Sequence, residues 1–300
     1  MAKMSARWSL SELCIVVGTR CNFACRHCLF DLKKKRLNLT SKEIHHLQII
    51  IQQYAPKVLS FTGGEPTLYI PDINKIVSAH PSPKKIKVLV ATNGGFATTC
   101  KAAKETLASI HFLTHIQLSC DKFHSEFLPN TNIENMYKAC MEMGVGFSVL
   151  LVMQSPLDLV LINKLKKIGN FKIGIQSVCD IGEAHKNSVA FNHMVFDGDV
   201  LKKFCPGRKQ VSYLCGRGFS ICCANLIFND VYPQSVHATV EEHVKSNFYK
   251  IMTSTNFGEL LKRFGVSKKN LLPRHSAECA LCEYIFSNVN HVRKGDRKYV

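Results

Sequence analysis

Short apolar runs and amphipathic segments alternate between residues 13 and 176 of the chain. Each apolar run is bounded by polar or glycine-containing stretches, which is typical of a strand buried in a sheet. The intervening segments repeat apolar residues three and four positions apart, which predicts helices packed on that sheet. Regular alternation of the two patterns predicts an α/β fold with a parallel sheet and right-handed crossovers. The predicted strands are residues 13–17, 58–61, 86–91, 115–119, 146–152 and 171–176.

Capping residues support the first predicted helix. Thr40 or Ser41 is placed to accept a hydrogen bond from the free amides of its first turn. One face of this helix is apolar and consists of Ile44, Leu47, Ile50 and Ile51. The predicted helices are residues 41–54, 72–79, 99–110, 133–143 and 156–168.

The loop after the first predicted strand carries Cys21, Cys25 and Cys28 at a Cys-x3-Cys-x2-Cys spacing. Three thiolates this close in sequence can bind three irons of one [4Fe–4S] cluster and leave the fourth iron open. A zinc site is the alternative, but it would need a fourth protein ligand nearby. His27 could serve, although we expect its ring to point away from the Cys-x2-Cys turn. The spacing therefore favours a cluster over zinc and over buried free thiols.

The loop after the second predicted strand contains Gly63-Gly64-Glu65-Pro66. By themselves the glycines indicate only a turn, since glycine readily adopts positive φ. Together with the three-cysteine loop, the motif resembles the radical S-adenosylmethionine (SAM) superfamily. In that superfamily the open iron binds the amino and carboxylate groups of SAM. The resemblance implies that Gly63, Gly64 and Glu65 bind SAM.

The same resemblance implies a fold. Six strand–helix units are too few for a closed eight-stranded barrel, but they match the partial (β/α)6 TIM-like barrel of radical SAM proteins, with its chemistry at the carboxyl ends of the strands. Asn93 and Ser119 resemble positions that contact the SAM ribose and carboxylate. Other roles stay open, because Asn before Gly is also typical of a turn and a serine can cap a strand end. Asp121 and His124 could bind substrate, although we expect a surface Asp–His pair.

A second group of cysteines follows a change in composition. A Cys-x2-Cys pair with distant cysteines provides ligands for a four-thiolate cluster or for an all-cysteine zinc site. The pattern resembles the auxiliary-cluster region, called twitch, of some radical SAM enzymes, which implies an auxiliary [4Fe–4S] cluster. We therefore expect a radical SAM partial barrel over residues 1–195, followed by an auxiliary-cluster region and tail over residues 196–300. The implied ligands are Cys205, Cys222, Cys279 and Cys282.

The adjacent cysteines Cys222 and Cys223 cannot easily both bind one cluster. This second group resembles that of bacterial radical SAM peptide epimerases, which convert L- to D-residues in ribosomally made peptides (RiPPs). The resemblance implies that a 5′-deoxyadenosyl radical removes a Cα hydrogen. It also implies that Cys223 returns a hydrogen to the opposite face, with Cys222 as the cluster ligand. The reverse assignment stays open, because either Gly216 or Gly218 can match the glycine of the family.

Three other functions stay open. A cross-linking peptide maturase would need the auxiliary cluster but not the donor thiol. A carbohydrate epimerase would apply the same donor chemistry to a sugar carbon. An iron–sulfur electron carrier or sensor would not be an enzyme and would have no use for SAM.

The remaining cysteines suggest no chemistry of their own. Cys14, Cys100, Cys140 and Cys179 are isolated on predicted strands or helices or near their ends, and we expect small buried hydrophobic residues there. Cys215 has no counterpart in the epimerases.

Composition limits the possible size of the core, the cellular compartment and the classes of partner. The chain has 300 residues, of which 46% are hydrophobic, so it can bury a sizeable core. Fourteen cysteines and the absence of a signal peptide indicate metal-binding or catalytic thiols in a reducing cytoplasm. The formal charge is +17, but the sequence contains no recognisable nucleic-acid-binding module and no membrane-spanning run. We therefore expect neither a nucleic acid nor a membrane as partner. The resemblance implies a ribosomally made precursor peptide as substrate and a flavodoxin- or ferredoxin-type electron donor.

Overall fold

The structure is a computed structural model that describes residues 8–223, 225–228 and 231–292. Its strands are β1 Glu12–Val16, β2 Val58–Thr62, β3 Lys87–Thr92, β4 His115–Ser119, β5 Gly146–Met153, β6 Lys172–Ser177, β7 Val211–Leu214 and β8 Gly218–Ser220. They form one sheet in the order β6-β5-β4-β3-β2-β1-β7-β8. All neighbours run parallel except β7 and β8, which are antiparallel.

Helices connect the strands and cover the sheet. The helices are α1 Ser41–Tyr54, α2 Ile70–Ser78, α3 Cys100–Ala108, α4 Asn130–Met143, α5 Val160–Ile168, α6 Gly182–Lys186, α7 Asn225–Phe228, α8 Val240–Lys245, α9 Asn247–Ser254, α10 Phe257–Arg263 and α11 Glu278–Val292. Among the residues described, no helix combines the length and the apolar character that crossing a bilayer requires.

The predicted α/β architecture is confirmed, with six strand–helix units and a parallel sheet. The segment predicted as one helix over residues 156–168 starts as a 3-10 turn at Pro156–Leu159 and becomes α5 only at Val160. The sequence analysis did not predict β7, which pairs with β1 and extends the sheet beyond the six units. Four residues are too short a run for periodicity to identify a strand.

Helix α1 shows how local sequence and packing agree. Thr40 caps it, and the Thr40 hydroxyl accepts a hydrogen bond from the Glu43 amide at 3.2 Å. The Glu43 carboxylate accepts one in return from the Thr40 amide at 2.8 Å. This reciprocal pair is a capping box, which satisfies two amides that a helix start leaves free. The predicted apolar face is buried and consists of Ile44, Leu47, Ile50 and Ile51.

Buried apolar residues form two main clusters. The larger lies between the sheet and its helices. The second is built from α9, α10 and α11 together with the segments around Val200 and Ile221. Cys222 packs against both clusters. The carboxyl-terminal region therefore has its own core while also contributing β7 and β8 to the sheet.

His243 in α8 is a buried histidine that the fold keeps neutral. It is fully buried, and its Nδ1 lies 3.1 Å from Nδ1 of His237. Burial, with a smaller contribution from His237, lowers the pKa of His243 from 6.5 to about 3. The unfolded chain therefore binds a proton between these values that the folded chain does not, and stability falls as the pH drops below 6.5.

We expect His243→Leu to weaken this acid sensitivity. For one site with these pKa values, lowering the pH from 7.5 to 5 costs about 2 kcal/mol of unfolding free energy. Urea titrations at pH 7.5 and at pH 5 measure the unfolding free energy. The difference between the two pH values should be smaller in the variant than in the wild type. The control is His45→Leu, because His45 is exposed and its imidazole meets water in either state. An unchanged pH dependence in His243→Leu would contradict the assignment.

Candidate active site

The three-cysteine loop leaves the carboxyl end of β1 and brings Cys21, Cys25 and Cys28 together. The Cys28 amide donates to the Cys25 carbonyl at 3.1 Å, and the Phe23 amide donates to the Cys21 sulfur at 3.4 Å. Burial, followed by repulsion from Cys28, raises the pKa of Cys25. Burial raises the pKa of Cys28 to about 11, with a smaller contribution from Cys21. Clustered, desolvated thiols of this kind become thiolates when a cation neutralises them.

The spacing of the thiols distinguishes between metals. Four sulfurs around one zinc ion lie about 3.8 Å apart, given a Zn–S bond of about 2.3 Å in a tetrahedron. Among the described residues, no three cysteine sulfurs lie within 4.8 Å of one another. A multi-iron cluster binds thiolates at wider separations because each sulfur binds a different iron. The arrangement therefore fits an iron–sulfur cluster better than zinc.

The Gly63-Gly64 turn presses directly against the three-cysteine loop. The Gly64 amide donates to the Gly18 carbonyl at 2.9 Å, and the Glu65 amide donates to the Arg20 carbonyl at 2.7 Å. A Cβ atom on Gly64 would lie 2.0 Å from the Arg20 oxygen, and Gly63 has a φ of +150°. Only glycine permits both the approach and the backbone conformation. These glycines therefore fix the path of the cysteine loop.

Glu65 is buried, and its carboxylate joins the loops after β2 and β3. Its Oε1 accepts from the Thr67 amide at 3.1 Å and from the Thr67 and Thr92 hydroxyls at 2.7 Å each. Its Oε2 accepts from the Asn93 amide at 2.8 Å. The Asn93 side chain in turn donates to Asn22 at 2.8 Å and to the Cys21 sulfur at 3.5 Å. Both residues thus position the cysteine loop, and their contact with SAM stays a prediction.

The other predicted residues at this edge of the sheet differ in their surroundings. Ser119 lies half-buried at the end of β4. The expectation of a surface Asp121–His124 pair was wrong, because Asp121 is fully buried. Its carboxylate accepts from the Phe123 and His124 amides at 2.9 and 3.0 Å and pairs with His124 Nδ1 at 2.8 Å. An Asp followed by two residues and a His gives no signal of burial, so the sequence could not reveal this.

His27 completes a buried network with Asp121. Its Nε2 lies 3.5 Å from the Asp121 carboxylate, and its ring stacks on Phe123 at 4.5 Å between centroids. The ring therefore packs toward the loop after β4, in agreement with the expectation that it points away from the cysteines. Burial lowers the pKa of His27 to about 4. Burial would raise the pKa of Asp121, but its hydrogen bond from His124 and the nearby histidine charges lower it.

Helix α6 holds the other side of the cysteine loop, which the sequence analysis missed. The Glu183 amide donates to the Cys28 carbonyl at 2.9 Å, and the Glu183 carboxylate accepts from the Leu32 amide at 2.8 Å. Gly182 has a φ of +58°, and a Cβ there would lie 2.3 Å from the Leu29 carbonyl oxygen. The one sequence feature that could have indicated this contact is the Gly182-Glu183 pair at the start of the helix.

The second group of cysteines lines a cavity of about 1180 Å³. Burial raises the pKa of Cys205 to about 11, and the neighbouring Cys222 adds to the rise. The hydrogen bond with Cys179, followed by burial, raises the pKa of Cys279, and burial raises the pKa of Cys282; Cys222 adds to both rises. The thiol of Cys222 thus lies near those of the three other predicted ligands. The donor set consists of four close thiols, which fits an iron–sulfur cluster.

Cys223 faces the same cavity. The residue is exposed there, yet the surrounding protein desolvates its thiol and raises its pKa, with a further rise from Cys222. Cys215 lies elsewhere, buried at the end of β7 in the larger apolar cluster. The structure therefore separates Cys215 from the second group and brings Cys223 to it.

The expectation for Cys179 was wrong. Cys179 is not a buried apolar residue but lines the cavity, and its thiol hydrogen-bonds with Cys279. This hydrogen bond lowers the pKa of Cys179. The sequence feature that could have indicated this role is the position of Cys179 just after β6, at the carboxyl end of the strand. Cys14 and Cys140 are buried as expected, and Cys100 is half-buried.

Comparison with known proteins identifies the amino-terminal part of the chain. Residues 15–153 match the family model of the radical SAM superfamily. This part of the chain is a radical SAM domain. The family implies a [4Fe–4S] cluster and SAM as cofactors, and the thiol geometry described above fits that cluster.

Two proteins of known sequence are similar to this chain. The putative peptide biosynthesis protein YydG of Bacillus subtilis (strain 168) is 23% identical over 305 residues, which cover 93% of this chain and 92% of YydG. GTP 3′,8-cyclase of Haemophilus influenzae (strain PittGG) is 32% identical over 109 residues, which cover 35% of this chain and 31% of the cyclase. The similarity to YydG therefore extends beyond the radical SAM domain into the second cysteine group.

Two solved structures share the fold. The crystal structure of Streptococcus suis SuiB bound to precursor peptide SuiA superposes with a TM-score of 0.58 at 15% identity, covering 91% of this chain and 76% of SuiB. BtrN in complex with AdoMet and 2-DOIA gives a TM-score of 0.51 at 12% identity, covering 84% of this chain and 89% of BtrN. At such low identities these similarities establish the shared fold alone.

Replacing Gly64 with alanine should damage the radical SAM domain locally. The new methyl group would meet the Arg20 backbone oxygen, so the cysteine loop must shift. Overpacking of this kind costs about 1–3 kcal/mol, and we expect SAM to bind about tenfold more weakly. Equilibrium dialysis of the reconstituted protein with labelled SAM measures this. The control is Gly198→Ala, because a Cβ there meets nothing within 4 Å. Equal SAM affinity in both variants would refute the role of the close approach.

Proposed function

We propose that this chain is a radical SAM peptide epimerase that acts on a ribosomally made precursor peptide in the cytoplasm. One observation carries the proposal: Cys223 is exposed in a cavity beside four clustered thiols. The similarity to YydG along nearly the whole of both chains supports a peptide substrate. The cytoplasm is a compartment in which fourteen free thiols stay reduced.

Seven thiols of the chain would hold the two proposed clusters. Cys21, Cys25 and Cys28 would bind the cluster that contacts SAM, with Gly63, Gly64, Glu65, Asn93 and Ser119 around the SAM. Cys205, Cys222, Cys279 and Cys282 would bind an auxiliary [4Fe–4S] cluster. When bound, the first cluster and SAM supply a 5′-deoxyadenosyl radical, which can remove a hydrogen atom from a Cα carbon.

Cys223 would then complete the inversion. A carbon radical at Cα is nearly planar, so a hydrogen atom can return to either face. A thiol is a suitable donor, because its S–H bond is weaker than most C–H bonds. The Cys223 thiol would give its hydrogen atom to the face opposite to the one attacked. The resulting thiyl radical needs one electron and one proton to return to a thiol. We assign the electron to a flavodoxin- or ferredoxin-type protein and the proton to solvent.

A cross-linking maturase is the main rival, since it would use the same cofactors. It would have no use for an exposed thiol beside the auxiliary ligands, which is the feature present here. The two reactions also differ in their products. Epimerisation conserves the number of hydrogen atoms in the peptide, whereas cross-linking removes two.

The ligand and the donor can be separated by iron content. Two [4Fe–4S] clusters contribute about eight irons per chain. We expect Cys222→Ala to retain about four, because it removes one auxiliary ligand, and Cys223→Ala to retain all of them. Iron analysis and electron paramagnetic resonance of the reduced proteins measure this. If Cys223→Ala loses the irons and Cys222→Ala keeps them, the two roles are reversed.

The reaction can be tested in deuterated buffer with SAM, a reductant and the precursor peptide encoded beside the gene. The wild type should form 5′-deoxyadenosine and a peptide one deuteron heavier, since the Cys223 thiol exchanges with solvent. Cys223→Ala should still form 5′-deoxyadenosine but yield no deuterated epimer. A wild-type product that has lost two hydrogens and gained no deuterium would instead identify a cross-linker and exclude the epimerase.

A further inference from the structure

Strand β6 is an edge strand of the sheet, and its residues line the large cavity. β5 pairs with one of its edges, and within the described residues no strand pairs with the other. The Val178 amide, directly after β6, donates to the Met153 carbonyl of β5 at 2.9 Å. Because successive residues of a strand direct their backbone groups to opposite sides, the groups of Ile175 and Ser177 point away from β5.

These outward groups are available for hydrogen bonding. In the part of the chain that the structure describes, no backbone or side-chain group bonds to the amides of Ile175 and Ser177. The Ile175 residue is 49% exposed. Natural edge strands usually carry charges, prolines or covering elements that block further pairing. After Lys172, the strand contains only Ile173-Gly174-Ile175-Gln176-Ser177, with neither charge nor proline.

The open edge of β6 borders the same cavity as Cys223, the proposed hydrogen donor. Gly174, Ile175, Gln176 and Ser177 line it together with Cys223. Two residues beyond the strand, the Cys179 thiol bonds with Cys279, so the end of β6 lies beside the second cysteine group. The volume of about 1180 Å³ exceeds the usual range for a small-molecule pocket, which is about 300–1,000 Å³.

We infer that the substrate peptide binds in an extended conformation and adds a strand to β6 through the outward backbone groups of Ile175 and Ser177. This inference rests on the proposed action on a peptide and specifies how that peptide is held. Backbone hydrogen bonds to an open edge suit an extended peptide of variable sequence. A sugar or a folded partner has no matching ladder of amides. Pairing with β6 delivers the peptide to the cavity wall that leads to Cys223.

Hydrogen–deuterium exchange tests the pairing directly. In the holoprotein with SAM, the outward amides of Ile175 and Ser177 should exchange quickly, and addition of the precursor peptide encoded beside the gene should slow their exchange. Amides of β4, which is paired on both sides, should not change. Slow exchange of β6 that depends on protein concentration without peptide would assign the edge to a second copy of the chain and overturn the proposal.

Variants of both partners give a second test. Ile175→Pro removes one outward amide, and we expect about a fivefold to tenfold rise in the Kd of the fluorescein-labelled peptide. Iron content and circular dichroism show whether this variant folds. If it does not, ester substitutions along a synthetic peptide replace the measurement. Esters should weaken binding at every second position, because only alternate peptide amides face β6. Equal weakening at all positions would overturn the strand pairing.

The outcomes also separate this inference from the proposed function. Epimerised peptide without protection of β6 would refute only the strand pairing. Protection of β6 with a cross-linked product would refute only the epimerase and leave the pairing in place. A peptide that neither protects β6 nor reacts would refute both.

Discussion

The buried carboxylate of Glu65 is the interaction on which the candidate active site depends. It accepts hydrogen bonds from the loop after β2 and from the end of β3, and through Asn93 it reaches the Cys21 sulfur. Parallel strands bring their carboxyl ends to one edge of a sheet, but they do not fix the loops there. A carboxylate with all its partners inside the protein does so, because leaving any of those donors unpaired in the interior costs about 1–3 kcal/mol.

Much of the fold could be predicted from the sequence, because the six units carry clear periodicity and the two cysteine groups have informative spacing. Other features depend on contacts between distant segments. Asp121 is buried beside His27, which comes from a different loop, and no local sequence pattern records that contact. Cys179 looked like an isolated thiol because its neighbour Cys279 is distant in sequence. Strand β7 is recognisable only through its pairing with β1.

Cys222 connects the metal chemistry to the fold. Its side chain packs against both apolar clusters, and it lies near the three other thiols of the second group. Metal binding to such a residue contributes to folding energy, since the ligands are brought together only in the folded chain. If the second group binds the proposed auxiliary cluster, its loading and the docking of the carboxyl-terminal helices would be coupled. The donor role proposed for Cys223 depends on the same packing, because residues of the sheet and of the carboxyl-terminal helices line its cavity together.

The pairing of β7 with β1 has a consequence for synthesis on the ribosome. β1 emerges well before its partner β7, which spans Val211–Leu214. At about 5–20 residues per second, β1 waits roughly 10–40 s for this partner. During that interval the edge of β1 that later pairs with β7 has no partner strand, and the Cys21–Cys28 loop follows this strand directly. Any loading of this loop before the sheet closes would have to fall within that period.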